Sequence, residues 1–163
     1  MKKVLLDTDV LLDYLLGRNP GCAAVTELLS LCYERSMMPY VTSLSLKDVF
    51  YLVSMLLKRM SRESSGGTLA EESAVAAQEV AWACVRKLLE SCLVVPVGSS
   101  TCLEARTLQS VHDDFEDDLQ LAAAREMSVD IFVTADARLM RHAPITCMSA
   151  RDACALLRAE LGK

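Results

Sequence analysis

Carboxylates recur along this chain where short apolar runs end. Asp7 closes the run Val4-Leu5-Leu6, and Asp9 follows at once. Asp48 stands shortly after a second apolar stretch, Tyr40-Val41. Five of the six residues from 113 to 118 are acidic: Asp113, Asp114, Glu116, Asp117 and Asp118. Asp136 comes two residues after Ile131-Phe132-Val133-Thr134. Two like charges about 4 Å apart cost roughly 4 kcal/mol at an effective dielectric near 20, so four or five carboxylates in one pocket must be protonated or neutralised. A divalent cation neutralises them, and hard oxygen ligands favour Mg²⁺ or Mn²⁺. Such ions can activate a water and stabilise the leaving oxygen of a phosphodiester.

Other chemistries find less support. Ser65-Gly66-Gly67 lacks both the spacing and the Lys of a phosphate-cradling loop. Only two histidines, His112 and His142, are available, and neither suggests a nucleophilic triad; His112 beside the acids is read as a solvated loop residue or a substrate contact. The cysteines, at 22, 32, 84, 92, 102, 147 and 154, are odd in number and lack zinc-ribbon spacing. They read as small buried hydrophobes in a reducing cytosol. The net charge of −5 argues against broad, non-specific nucleic-acid binding. It does not exclude a nuclease, because bound ions reverse the sign of an acidic site. Arg18, Lys47, Arg138 and Arg141 stand near predicted strand ends where a phosphate could be met, and Lys58, Arg59 and Arg62 form a small basic cluster.

These side chains need a scaffold. Lys3–Asp7, Pro39–Thr42, Leu93–Val97 and Asp130–Thr134 read as strands, with Ile145–Met148 as a fifth. Pro96 marks a strand end or an edge position. Between them, helices are predicted over Asp9–Leu16, Cys22–Arg35, from an N-cap at Ser43 to about Met60, over Glu71–Ser91, Ser100–Leu108 and Phe115–Met127, and from an N-cap at Ser149 over Ala150–Leu161. Gly17–Gly21 and Ser61–Thr68 read as loops. The alternation predicts a three-layer α/β/α sandwich with a central parallel sheet of four to five strands. At 163 residues and 52% hydrophobic content, residues 1–163 fit one domain with a substantial core. No apolar run suits a membrane span or a secretory signal, so a cytoplasmic location is expected. In such sheets, ligands bind outside the carboxyl ends of the strands, where the acids stand.

Asp7, Asp48, Asp117 and Asp136 are the expected catalytic and metal-holding residues, with Asp114 as a further metal ligand. Asp9 is read either as the cap of the first helix or as a substrate contact, and Arg18 as a phosphate contact. Asp48 and Asp114 have bland alternatives, a solvated helix residue and an N-cap. Asp13 reads as a solvent-facing helix charge, and Asp113, Glu116 and Asp118 as solvated charges favouring a helix N-terminus.

Four segments, in this order, resemble the PIN-domain family, a nuclease fold found in VapC-like toxins and RNA-processing factors: Leu5-Leu-Asp-Thr-Asp-Val-Leu-Leu-Asp13, Val41-Thr-Ser-Leu-Ser-Leu-Lys-Asp48, Asp114-Phe-Glu-Asp-Asp-Leu-Gln-Leu-Ala-Ala-Ala124 and Ile131-Phe-Val-Thr-Ala-Asp136. Asp9 stands where the family commonly has Asn, and Asp48 where Glu is usual. Gly17-Arg18-Asn19-Pro20 resembles a loop of one bacterial subgroup. The resemblance implies a metal-dependent ribonuclease acting on single-stranded RNA, with Asp7, Asp48, Asp117, Asp136 and Asp114 at the metal site. It further implies an antitoxin partner and a homodimer as candidate assemblies. Two other readings stay open: a haloacid-dehalogenase-type phosphatase built on Asp7-Thr8-Asp9, and a non-catalytic PIN-fold binding module.

Overall fold

The computed structural model describes residues 2–18, 20–109 and 114–160. Five strands form one sheet: β1 (Val4–Leu6), β2 (Tyr40–Thr42), β3 (Leu93–Val95), β4 (Ile131–Val133) and β5 (Cys147–Met148). Their order is β3-β2-β1-β4-β5, and every pairing is parallel. Leu5 is in register with Tyr40 on one side and Phe132 on the other. β3 is an edge strand, as Pro96 suggested. β1 and β4 are buried at every residue, which is why they read as continuous apolar runs.

Eight helices among the described residues cover the two faces. They are α1 (Thr8–Leu16), α2 (Gly21–Glu34), α3 (Ser43–Ser64), α4 (Glu71–Ser91), α5 (Ser99–Leu108), α6 (Phe115–Glu126), α7 (Ala137–His142) and α8 (Ala150–Ala159). Side chains alternate across the strands. Val4, Leu6, Val41, Ile131 and Val133 pack with α1 to α4 and α8. Leu5 and Phe132 pack with α5, α6 and α7 through Ala105, Leu119, Ala122 and Leu139. The expected face of α2, Val25, Leu28, Leu29 and Cys32, is buried.

The helices after β1 and β2 lie on one face, and those after β3 and β4 on the other. The chain therefore changes face between the adjacent strands β1 and β4. Open α/β sheets bind ligands at such a change of face, beyond the carboxyl ends of the strands.

Several local expectations change. The N-cap of α1 is Asp7, whose side chain accepts from Thr8 N, so Asp9 is a first-turn residue and not the cap. Thr42, not Ser43, caps α3 by accepting from Ser45 N, and Ser43 Oγ accepts from Val97 N. α3 runs to Ser64, so Ser61–Ser64 are helix rather than loop. The six-residue α7 was not anticipated, since fewer than two turns show no periodicity. Ser149 caps α8 as expected; the predicted end of that helix, Leu161, lies outside the described residues. Among the described residues, no helix is long and apolar enough to cross a membrane. The cysteines are free: Cys32, Cys84, Cys92 and Cys154 are buried, but Cys102 is exposed, against expectation. Burial pushes the thiols of Cys32 and Cys154 up to about 11 and that of Cys147 up to about 12, which removes them as thiolate nucleophiles.

Candidate active site

The local sequence explains why Asp7 sits where it does. β1 ends at Leu6, and Asp7 N still donates to Val133 O at 2.9 Å, extending the β1–β4 ladder by one step. The chain then turns into α1, and the capping geometry points the Asp7 carboxylate over the sheet end. Asp7 is 7% exposed. Its Oδ1 accepts from Thr8 N at 2.6 Å and Gln120 Nε2 at 3.1 Å, and its Oδ2 accepts from Thr134 Oγ1 at 2.7 Å.

A buried polar network surrounds it. Gln120, fully buried in α6, donates from Nε2 to both Asp7 Oδ1 and Thr8 Oγ1, the latter at 3.0 Å. Its Oε1 accepts from Ser45 Oγ at 3.3 Å. Thr8 Oγ1 lies 3.1 Å from Ser45 Oγ, which lies 2.9 Å from Thr42 Oγ1. Thr134 Oγ1 also accepts from Asp136 N at 3.0 Å. The ends of β1, β2 and β4, the first turns of α1 and α3 and the second turn of α6 are thus joined by hydrogen bonds. Networks of this kind hold carboxylates in place, because a buried polar atom left without a partner costs about 1–3 kcal/mol.

Electrostatics tie further acids to this corner. The Asp7 carboxyl is pushed from 3.8 up to about 6, chiefly by burial, with the charges of Asp9 and Asp136 adding to it and the hydrogen bonds from Thr134 and Thr8 opposing it. Glu116 is also pushed up, by burial first, then by Asp48, Asp114 and Asp7. Its Oε1 lies 3.5 Å from Thr8 Oγ1. Asp48 sits one turn beyond Ser45 on the same face of α3 and is buried. Its Oδ1 pairs with Lys47 Nζ at 2.5 Å, while its buried Oδ2 has no hydrogen-bond partner. Asp136 caps α7, accepting from Arg138 N and Leu139 N. Asp114 caps α6, accepting from Glu116 N at 2.9 Å.

The charges of Asp9 and Asp136 bear on Asp7, and those of Asp48, Asp114 and Asp7 bear on Glu116. Asp117 is half-buried in the first turn of α6, one turn before Gln120. Arg18 is at the opposite end of α1 from Asp7, beside Asp13 with an N···O separation of 4.0 Å. Asp13 is therefore not a simple solvated charge: it faces Arg18 and crowds Gly21, where an added Cβ would meet its Oδ2 at 1.9 Å. His112 and Asp113 lie outside the described residues.

Glu116 is exposed in the first turn of α6, as expected, and its Oε1 also lies 3.5 Å from Thr8 Oγ1. One expectation needs correction. Asp118 is 2% exposed and belongs to the interior face of α6. Sequence reasoning also passed over Thr8, Thr42, Ser45, Thr134 and Gln120. The available signal was Gln120 itself, one polar residue inside Leu119-Gln-Leu-Ala-Ala-Ala124.

Oxygen donors of this kind suit a hard divalent cation, and the partnerless Asp48 Oδ2 is an atom that a cation would satisfy. Among the described residues, no three His, Cys, Asp or Glu side chains close around a single point as a metal cage. The donor chemistry fits an ion; a closed coordination shell is not a feature of the structure. The phosphatase reading fares worse. Asp7 is buried and held by hydrogen bonds at both oxygens, a poor nucleophile, and α5 occupies the segment where that motif set needs a strand with a Lys.

A family model described as "PIN domain" matches residues 3–138. Two solved structures share the fold. VapBC2 from Rickettsia felis, bound to a DNA fragment from its promoter, superposes with a TM-score of 0.64 at 12% identity, covering 90% of this chain and 97% of that one. FitAcB from Neisseria gonorrhoeae superposes with a TM-score of 0.59 at 15% identity, with the same coverage, 90% and 97%. No curated protein matches the sequence.

Proposed function

Because this chain belongs to the PIN-domain family, whose members are generally nucleases, we propose that it is a divalent-metal-dependent endoribonuclease acting on single-stranded RNA. Residues 1–163 are read as one nuclease domain, cytoplasmic, serving as the toxin of a toxin–antitoxin pair and assembling as a homodimer. The observation that carries the reading is the buried Asp7 carboxylate, held at the sheet end by Thr134 and Gln120, with the buried, partnerless Oδ2 of Asp48 on α3.

Asp7, Asp48, Asp117 and Asp136, with Asp114, are the residues that would hold Mg²⁺ or Mn²⁺. Bound there, such ions would neutralise the acids, activate the attacking water and stabilise the leaving oxygen. The chain's own part is placement. Gln120 and Thr134 fix the two oxygens of Asp7, and the Thr134 hydroxyl ties Asp7 to the backbone of Asp136. Asp9, the one exposed residue in the otherwise buried first turn of α1, would face incoming substrate. Arg18, a helix length away, would meet a phosphate remote from the cut.

Hydrolysis by water does not require the 2′-hydroxyl. RNA cleavage should therefore stop in EDTA, return with Mn²⁺ and yield 5′-phosphate and 3′-hydroxyl ends by mass spectrometry. A single 2′-deoxy substitution at the cut site should still permit it. Cyclic 2′,3′-phosphate ends, or full activity in EDTA, would overturn the proposal.

A further inference from the structure

The exposed face of α3 carries a row of residues that the carboxylate corner does not use. At 100° per residue, Lys47, Tyr51, Met55, Lys58 and Arg62 fall within an arc of about 80° and run for about 22 Å. The row starts at the site, because Lys47 is paired with Asp48 and lies within electrostatic reach of Glu116 and Tyr51. Tyr51 is 63% exposed. Its ring meets Phe50 edge-on at 5.3 Å, and Phe50 in turn packs against Trp82 of α4 at 4.9 Å, which holds the platform in place. A cavity of about 310 Å³ lies along the row, lined by Tyr51, Ser54, Met55, Lys58, Arg62 and Gln78 among others. Neither Lys58 nor Arg62 is in an ion pair among the described residues. The nearby acid Glu63 is bound to Arg59, off the row.

We infer that this face of α3 is a track for single-stranded RNA leading into the carboxylate corner, with Tyr51 stacking a base and Lys58 and Arg62 holding phosphates. The inference rests on the ribonuclease reading. The occupant is chosen by charge. Two free cations, Lys58 and Arg62, follow an exposed aromatic ring, Tyr51, on a chain whose net charge is −5, and the row is continuous with the acids. Stacking plus phosphate contact is how sequence-tolerant single-strand binding works.

The test uses the full chain in EDTA, so that nothing is cut, with a labelled single-stranded RNA of about a dozen nucleotides and fluorescence anisotropy across a salt series. Lys58→Glu and Arg62→Glu should each weaken binding about fivefold or more. Together they should lower the slope of log affinity against log salt by about 1.4, the value for two single-strand phosphates. Tyr51→Ala should weaken binding about tenfold, the loss of one stacked base. Arg106→Glu, an equal charge reversal on α5 across the sheet, should leave affinity near that of the wild type. The track is overturned if Lys58→Glu, Arg62→Glu and Tyr51→Ala all bind as tightly as the wild type, or if Arg106→Glu weakens binding as much. The α3 face would then be left to a protein partner. A separate cleavage assay with Mn²⁺ keeps the two proposals apart. Binding sensitive to the α3 variants without any cleavage would sink the nuclease reading alone; cleavage with insensitive binding would sink the track alone.

Discussion

The two halves of α3 obey different rules. The first half buries Ser45, Asp48, Val49, Val53 and Ser54, and Ser45 is bound into the corner with Thr8, Thr42 and Gln120. From Met55 to Ser64 no residue is buried, and Met55 and Met60 are exposed. The contrast teaches where this protein can tolerate change. In the first half Ser45 was taken from water and depends on Thr8, Thr42 and Gln120, while the buried Asp48 Oδ2 is left without a hydrogen-bond partner. In the second, water remains available, and a side chain can be exchanged for another at little energetic consequence.

The strongest way to break that contrast is at Asp7. Asp7→Asn should lower RNA cleavage by about 10³-fold, the scale of losing one charge-stabilising group. The apo fold should melt at the same temperature or higher at pH 7, because the Asn amide can donate to the Thr134 hydroxyl that now donates to Asp7 Oδ2. A nuclease assay beside circular dichroism melting decides it, and an active, destabilised variant would contradict the assignment. Gln120→Leu comes next. It strips partners from Asp7, Thr8 and Ser45 at once and should cost about 3 kcal/mol, read from the urea midpoint.

The pH dependence sharpens the comparison further. Folded Asp7 titrates near 6, above its usual 3.8, so the folded state holds the proton more tightly than the unfolded one. That stabilising contribution is complete below about pH 3.8 and disappears as pH rises through about 6. Chemical denaturation of the apo protein should show it relative to Asp7→Asn, with an upper bound of about 3 kcal/mol. Saturating Mn²⁺ should oppose the loss, raising stability at pH 7 by about 2.7 kcal/mol at 100 times its dissociation constant. An unmoved melting curve in millimolar Mn²⁺ would count against the metal site. The smallest effect belongs to the outer half of α3, where Met60→Ser should change stability by no more than about 0.5 kcal/mol.

What the sequence determined by itself was local or periodic. Strand-length apolar runs fell on β1, β2, β3 and β4, and most cleanly on β1 and β4, because a strand buried on both faces needs continuous apolar residues. The inward faces of α2 and α6 followed from helical spacing, and Asp114 and Ser149 were legible as caps because capping depends on neighbours two or three residues away. The placement of acids at strand ends followed from the same reading. Tertiary structure decided which of those acids are solvated and what holds them. Asp9 and Ser43 read as caps, but the caps are Asp7 and Thr42, the residues at which β1 and β2 leave the sheet. Glu116 joined the corner, Asp118 turned inward and Gln120 became the hub. Their partners come from segments far away in the chain: Gln120 meets Asp7 across 113 positions and Thr134 meets Asp7 across 127. A hydrogen bond over that span exists only once the sheet has brought its strand ends together, and no pattern within a window of sequence encodes it.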